Sequence, residues 1–175
     1  MIIRNILPEE IKQAGAIFTR TVQEMNEAGL YNWTSEYPTI KEAQNDQKQG
    51  ALYGAFDGDT LLGFCTLDTY MAPQYDSISW TFDSCTALCI HRLAVDPGVR
   101  RRGVAAALLA FAADLARSKG LTSLRVDSFS QNYRAVSLYE QSGFQFRGEL
   151  FYPGKDPRVN TLPFFAFEKS LFSED

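Results

Sequence analysis

The sequence predicts one mixed α/β domain, of the α+β kind, spanning residues 1–175. Three observations carry that prediction. Apolar stripes at helical spacing and short β-rich runs follow one another in the order β-α-α-β-β-β-α-β-α-β-β. Hydrophobic residues make up 45% of a chain whose length suits a single core. Charged residues stand at 22%, an ordinary share for a globular domain, and no repeat or low-complexity tract interrupts the pattern.

Each element has a local reason. Ile2–Ile6 alternates weakly and reads as a strand. Pro8, Glu9 and Glu10 open a helix, because proline lacks only an N–H that the first turn cannot use and acids suit the positive helix end. Ile11, Ala14, Ile17, Phe18, Thr21 and Val22 form its buried stripe, and it ends near Gly29. An aromatic loop follows (LYNWTSEYPT), and Thr39 then caps a second helix that runs to about Gln49, with Glu42 completing a capping box. Residues 51–70 form a β-hairpin that turns at Asp57–Thr60, where Gly58 supplies a permissive backbone. After an irregular excursion over 71–84, Cys85–Val95 is an apolar, central strand. A helix from about Arg102 buries Val104, Leu108, Phe111 and Leu115 and stops at Gly120. Leu121–Phe129 is a strand, Asn132–Gly143 a helix, and 144–152 and 160–171 are two closing strands.

Composition narrows the function. A net charge of −4 disfavours a nucleic-acid partner, since such domains carry a basic surplus. No apolar run reaches the ~18 residues of a membrane span. The N-terminus lacks the charged-then-apolar layout of a signal peptide. Cys65, Cys85 and Cys89 are sparse and odd in number, which suits reduced thiols and a cytoplasmic location. Cys85 and Cys89 have no companion pair of Cys or His, so no metal site is expected, and His91 is the one histidine.

One stretch breaks a local rule. In VDPGVRRRGVAAALL (Val95–Leu109), Arg100, Arg101 and Arg102 stand where a helix begins, against the positive end of its macrodipole. Gly103 and Ala105 are small enough to let a ligand approach the backbone, and first-turn N–H groups, Val104 among them, point toward a bound anion. A strongly negative occupant, a phosphate or pyrophosphate, makes sense of the arginines. A solvated basic helix start leaves both the arginine cost and the glycine unexplained. Gly98-x4-Gly103 has the glycine spacing of a P-loop, but Val104 and Ala105 stand where Lys and Ser/Thr are required, and the Rossmann fingerprint is absent.

Arg-x-x-Gly-x-Ala at Arg100, Gly103 and Ala105, after a strand ending Leu93-Ala94-Val95, resembles the signature of the GNAT family of acetyl-CoA-dependent N-acetyltransferases. NYRAVSLYEQSGF resembles that family's second signature, with Asn132, Ala135, Leu138, Tyr139, Gly143 and Phe144 matching, while the N-terminal third matches only in its element pattern. The resemblance implies the GNAT acyl-CoA N-acyltransferase fold, a mixed sheet of about seven strands flanked by about four helices. It implies acetyl-CoA as co-substrate, no metal, and direct transfer of an acetyl group to a primary amine of a small molecule or peptide. The same resemblance assigns the pantetheine arm to the backbone of Leu93, Ala94 and Val95, on a locally bulged strand, and to Asn132. It assigns the pyrophosphate to Arg100, Arg101, Arg102, Gly103, Val104 and Ala105.

Tyr139 sits at the family's general-acid position, to reprotonate the departing thiolate, against the alternative of a core tyrosine. His91 matches a proton-conducting histidine of arylalkylamine-type members and equally suits a core histidine; by alternation it shares a face with Leu93 and Val95. Cys89 stands where other members carry Glu or a second His. Trp33 and Tyr37 either hold a cationic acceptor by cation–π attraction or pin their loop to the sheet. A homodimer stays open, as do two other functions: a non-catalytic acyl-CoA-binding sensor and a protein-modifying acetyltransferase.

Overall fold

A computed structural model describes residues 1–99 and 101–172. Its strands are β1 (Ile2–Asn5), β2 (Leu52–Asp57), β3 (Thr60–Asp68), β4 (Ala87–Val95), β5 (Ser123–Phe129), β6 (Gln145–Leu150) and β7 (Phe164–Ser170). Its α-helices are α1 (Ile11–Glu27), α2 (Ile40–Lys48), α3 (Val104–Ser118) and α4 (Tyr133–Gln141), so the predicted order of elements holds throughout. The seven strands form a mixed sheet ordered β1-β2-β3-β4-β5-β7-β6, with β4 in the middle as its apolar sequence implies. The chain divides into two compact units: Met1–Leu67 with His91–Phe111, and Asp68–Ile90 with Ala112–Asp175.

In the first unit β1, β2 and β3 run antiparallel, and the hairpin closes at Asp57 opposite Thr60. All six predicted stripe residues of α1 are buried, and Ile17 and Phe18 pack with Leu52, Phe56 and Phe64 in one core. The chain over Pro8–Glu10 is a 3-10 turn rather than the first turn of α1. Glu10 explains it: its carboxylate accepts from the Leu7 N–H at 2.8 Å and from Arg4 at 2.7 and 2.8 Å, which folds it back on the preceding turn. The capping box of α2 is present. Glu42 Oε2 accepts from the Thr39 N–H at 2.6 Å, and Thr39 Oγ1 accepts from the Lys41 N–H at 3.2 Å. Such a cap stabilises a helix by about 1 kcal/mol.

Helix α3 departs from expectation twice. It starts at Val104, not near Arg102, because Arg101 and Gly103 both hold left-handed backbone, at φ +67° and +71°. Its buried face runs through Val104, Leu108, Ala112 and Ala116, while Phe111 and Leu115 are only half-buried. Alanine lets the helix approach its neighbours closely, which moves the larger side chains to the margin of the contact.

In the second unit, Ala87–Cys89 of β4 pairs in parallel with Ser123–Arg125 of β5. Strands β5 and β7 pair antiparallel along their full lengths, and β6 pairs antiparallel with β7. The predicted strand ends shorten at both sites where a turn intervenes. Ser84–Thr86 is a 3-10 turn capped by Asp83, and Asn160–Pro163 is a turn that precedes β7. The excursion over 71–84 is tied down by a buried charge pair. Arg125, fully buried, donates to the Phe82 carbonyl at 2.6 Å and to Ser84 Oγ at 2.9 Å, and stacks on Trp80 at 4.2 Å. Glu168 accepts from the Thr81 N–H at 2.8 Å and lies 3.4 Å from Arg125 Nε. No helix among the described residues is long and apolar enough to cross a membrane.

Candidate active site

The first unit carries the loop that the arginines single out. After β4, Asp96 turns the chain: its carboxylate accepts from the Gly98 N–H at 3.0 Å and from Arg20 of α1 at 2.5 and 3.3 Å. Burial pushes the Asp96 carboxyl up, but the bonds from Arg20 and Gly98 outweigh it and hold the group below the ordinary carboxylate range. Arg100 lies outside the described residues. Arg101 and Arg102 are exposed and precede the helix, so the dipole argument applies to them from just outside the first turn. Arg102 meets Asp57 at 3.0 Å in a pair exposed on both sides, a contact of little energetic weight.

Gly103 is the hinge of the site. Its carbonyl accepts the helical bond from Ala107 at 2.9 Å, which makes it the residue from which α3 departs. Its positive φ favours glycine, and nothing lies within 4 Å of the point where a Cβ would stand. The first-turn N–H groups of Val104 and Ala105 have no acceptor inside the helix and face away from its C-terminal end. Open space, aligned donors and flanking arginines fit a diphosphate.

Strand β4 bends just before this loop. Arg92 holds φ +50°, so the two-residue alternation that would put His91, Leu93 and Val95 on one face is interrupted there. The left-handed residue stands just before Leu93–Val95, where the resemblance puts a local bulge. Ala94 is buried; Leu93, Val95 and His91 are half-buried. Gly63 of β3 permits the close approach, since a Cβ there would stand 2.8 Å from the Ala94 carbonyl oxygen. The Arg92 side chain is clamped. It donates to Asp46 of α2 at 2.8 and 2.9 Å and to Tyr37 Oη at 3.1 Å, and Thr66 Oγ1 donates to the same Asp46 at 2.6 Å. Burial alone would lower the Arg92 guanidinium; Tyr37 and Asp46 reverse that and keep it charged.

The aromatic loop splits its residues among different tasks. Trp33 packs against the core of the first unit, edge-on to Phe18 at 5.7 Å, and its carbonyl accepts from Asn26 at 2.8 Å. Tyr37 serves Arg92. An open groove of about 910 Å³ beside α1 is lined by Gln23, Asn26, Tyr31 and Thr34, and not by Trp33 or Tyr37.

Asn132 and Tyr139 lie in the second unit, on α4. Asn132 is the helix cap, its Oδ1 accepting from the Ala135 N–H at 3.3 Å. Tyr139 is buried, with Phe144 edge-on at 5.6 Å and Phe167 at 5.8 Å. Cys89 is buried, and burial first of all pushes its thiol up to about 12, so it is no thiolate at neutral pH.

Sequence reasoning passed over Asp46 and Arg92. Asp46 carried a signal: it falls three residues after Ala43 on the inward stripe of a short polar helix, where a lone acid needs a partner. The left-handed backbone of Arg92 left no trace in residue type.

The chain matches the acetyltransferase (GNAT) family over residues 18–144. It is 42% identical over 55 residues to a mycothiol acetyltransferase of Beutenbergia cavernae, a stretch that covers 31% of this chain and 18% of that protein. A GNAT-family acetyltransferase of Streptococcus agalactiae shares the fold with a TM-score of 0.81, at 22% identity, over 97% of this chain and 94% of that one. The PaiA N-acetyltransferase of Thermoplasma acidophilum, solved in complex with coenzyme A, superposes with a TM-score of 0.67 at 20% identity over 97% and 98% of the two chains. The fold, the loop at Gly103 and the match across most of the sequence lead to one conclusion: the chain belongs to the acetyltransferase (GNAT) family.

Proposed function

We propose that the chain, acting as one acetyltransferase domain over residues 1–175, moves an acetyl group from acetyl-CoA to a primary amine of a small molecule or peptide. The observation that carries this reading is the β4–Gly103–α3 passage, where a left-handed glycine with open space around it precedes a free helix start flanked by arginines. Acetyl-CoA supplies the activated thioester when bound. Gly103, Val104 and Ala105 offer backbone donors for its diphosphate, with Arg101 and Arg102 beside them and Arg100 in the matching motif position. Leu93, Ala94 and Val95 on the bent strand, and Asn132, are the groups for its amide arm.

An alkylamine with a pKa of about 10.4 is roughly 3.4 pH units from neutral at pH 7, which costs about 4.6 kcal/mol. His91 is our candidate to take that proton. Tyr139 is our candidate to return a proton to the departing sulfur. Its burial among Phe144 and Phe167 also suits a purely packing role, the one observation that favours an acyl-CoA sensor without turnover. The mycothiol acetyltransferase likeness supports a small-molecule acceptor.

Calorimetry of acetyl-CoA binding tests the assignment of the loop. Gly103→Glu places a carboxylate and a strained backbone at the diphosphate position, and abolishes binding. Wild-type affinity in Gly103→Glu would remove the loop from the coenzyme site.

A further inference from the structure

We propose that Asp127 anchors the ammonium group of the acceptor, in a subsite walled by Tyr75, Tyr152 and Phe164 that Lys155 fills in the free protein. The proposal rests on the acetyl-transfer reading for the identity of its ligand, and it names the substrate class: a linear primary alkylammonium.

The subsite belongs wholly to the second unit. Asp127 lies on β5, half-buried, opposite the buried Ala166 of β7 and on the same face of the strand as Phe129. Two residues on, Phe129 and Phe164 face each other with ring centroids 5.2 Å apart. Tyr75 donates its hydroxyl to Asp127 Oδ1 at 2.7 Å. Its ring is buried and fixed by Trp80, whose Nε1 donates to the Tyr75 carbonyl at 3.0 Å. Burial, and then the charge of Asp127, push the Tyr75 hydroxyl well up, so it stays a neutral donor. It orients the carboxylate without cancelling its charge.

The cation that answers this charge comes from the loop between β6 and β7. Lys155 Nζ stands 5.6 Å from the Tyr152 ring centroid and 5.5 Å from that of Phe164, within cation–π range of both. Those two rings meet nearly at right angles, 5.0 Å apart, and present two faces to one ammonium. Burial pushes the Lys155 amine down while the charge of Asp127 works against it. An alkylammonium is therefore already accommodated here, and it is the chain's own. Val159 is buried, and Asp156 ties the turn by accepting from the Arg158 N–H at 2.9 Å and from its guanidinium at 2.8 Å. Val159 and the Asp156–Arg158 pair hold the loop, and a cation that carries a desolvation cost over two aromatic rings is suited to be displaced by a ligand of the same chemistry.

The test uses n-butylamine as acceptor probe with the full chain. Lys155→Met keeps the stem and deletes the charge; the butylamine KM falls several-fold and the acetyl-CoA KM is unchanged. Asp127→Asn keeps an acceptor for Tyr75; the butylamine KM rises about tenfold, the scale of a lost bond to a charged group, again with acetyl-CoA unaffected. Unchanged butylamine KM in both variants, or a higher KM in Lys155→Met, would overturn the proposal; the second result would make Lys155 a contact for an anion instead. A reading independent of turnover is the labelling of Lys155 by acetic anhydride, followed by peptide mass spectrometry. Butyltrimethylammonium, which keeps the alkyl chain and the charge but has no N–H for the anhydride to acylate, increases labelling of Lys155 in the wild type by displacing it. Such displacement with no enzymatic acetyl transfer to any primary amine would sink the transferase reading and leave the subsite standing, whereas labelling indifferent to butyltrimethylammonium would sink the subsite.

Discussion

Asp46→Ala is expected to destabilise the protein by about 2–4 kcal/mol. Breaking one side of a buried ion pair costs roughly 3–5 kcal/mol, because the other charge is left desolvated and unpaired. Here Asp46 keeps 6% of its side-chain exposure and Arg92 keeps 19%, so part of that penalty is recovered by solvent on the arginine side. Thr66 loses its acceptor as well. Arg92 also holds φ +50°, a conformation that costs a non-glycine residue about 1–2 kcal/mol and needs its surroundings to enforce it. For a chain of this length, 2–4 kcal/mol corresponds to a Tm lower by roughly 4–16 °C. Urea unfolding with an unchanged m-value measures it directly. The double variant Asp46→Leu/Arg92→Met removes both charges and is expected to lose less than Asp46→Ala alone. A single variant within about 0.5 kcal/mol of wild type, or a double variant worse than the single, would show that the Asp46–Arg92 pair does not hold the fold.

Tyr139→Phe keeps the ring against Phe144 and Phe167, so acetyl-CoA binding and stability hold while kcat drops 10²–10⁴-fold, about 3–5 kcal/mol in barrier; unchanged kcat returns the residue to packing alone. Cys65 and Cys89, buried with thiols pushed up to about 12, resist a thiol reagent in the native protein and react only on unfolding. The exposed Cys85 alone reacts natively, slowed by the bond to Asp83 that raises its thiol; native labelling of all three would contradict this. Asp96 has its carboxyl held low in the fold, so its contribution is fully present above the ordinary carboxylate pKa of about 3.9 and is lost as pH falls through the lower folded value. The stability gap between wild type and Asp96→Asn therefore narrows below about pH 4, and a gap that stays constant into acid removes Arg20 from the account.

Much of the fold was legible because it rests on local rules. The α1 stripe, the Thr39–Glu42 box and the two-residue turn at Gly58 are each determined within a few residues of sequence, and all three are present. What escaped was set by long-range contact. The start of α3 moved two residues because Arg101 and Gly103 adopt left-handed backbone, which nothing in an Arg-rich run announces. The buried face of α3 shifted onto alanines, whose low hydrophobicity hides them from a periodicity search. At the site, the loop at Gly103 was legible because it breaks a rule of helix electrostatics within its own sequence. The Asp46–Arg92 clamp joins residues 46 positions apart, and the Asp127–Tyr75 bond joins residues 52 apart. Neither pair has any spacing that a linear reading could detect.

The activity proposed for this chain joins an acetyl group to an amine. Thiol release from acetyl-CoA, followed across a panel of primary amines with mass spectrometry of the products, tests it most directly. Release is expected to depend on the amine, to saturate with a linear alkylamine, and to yield the N-acetyl product. Acetyl-CoA binding with no amine-dependent release from any member of the panel would contradict it.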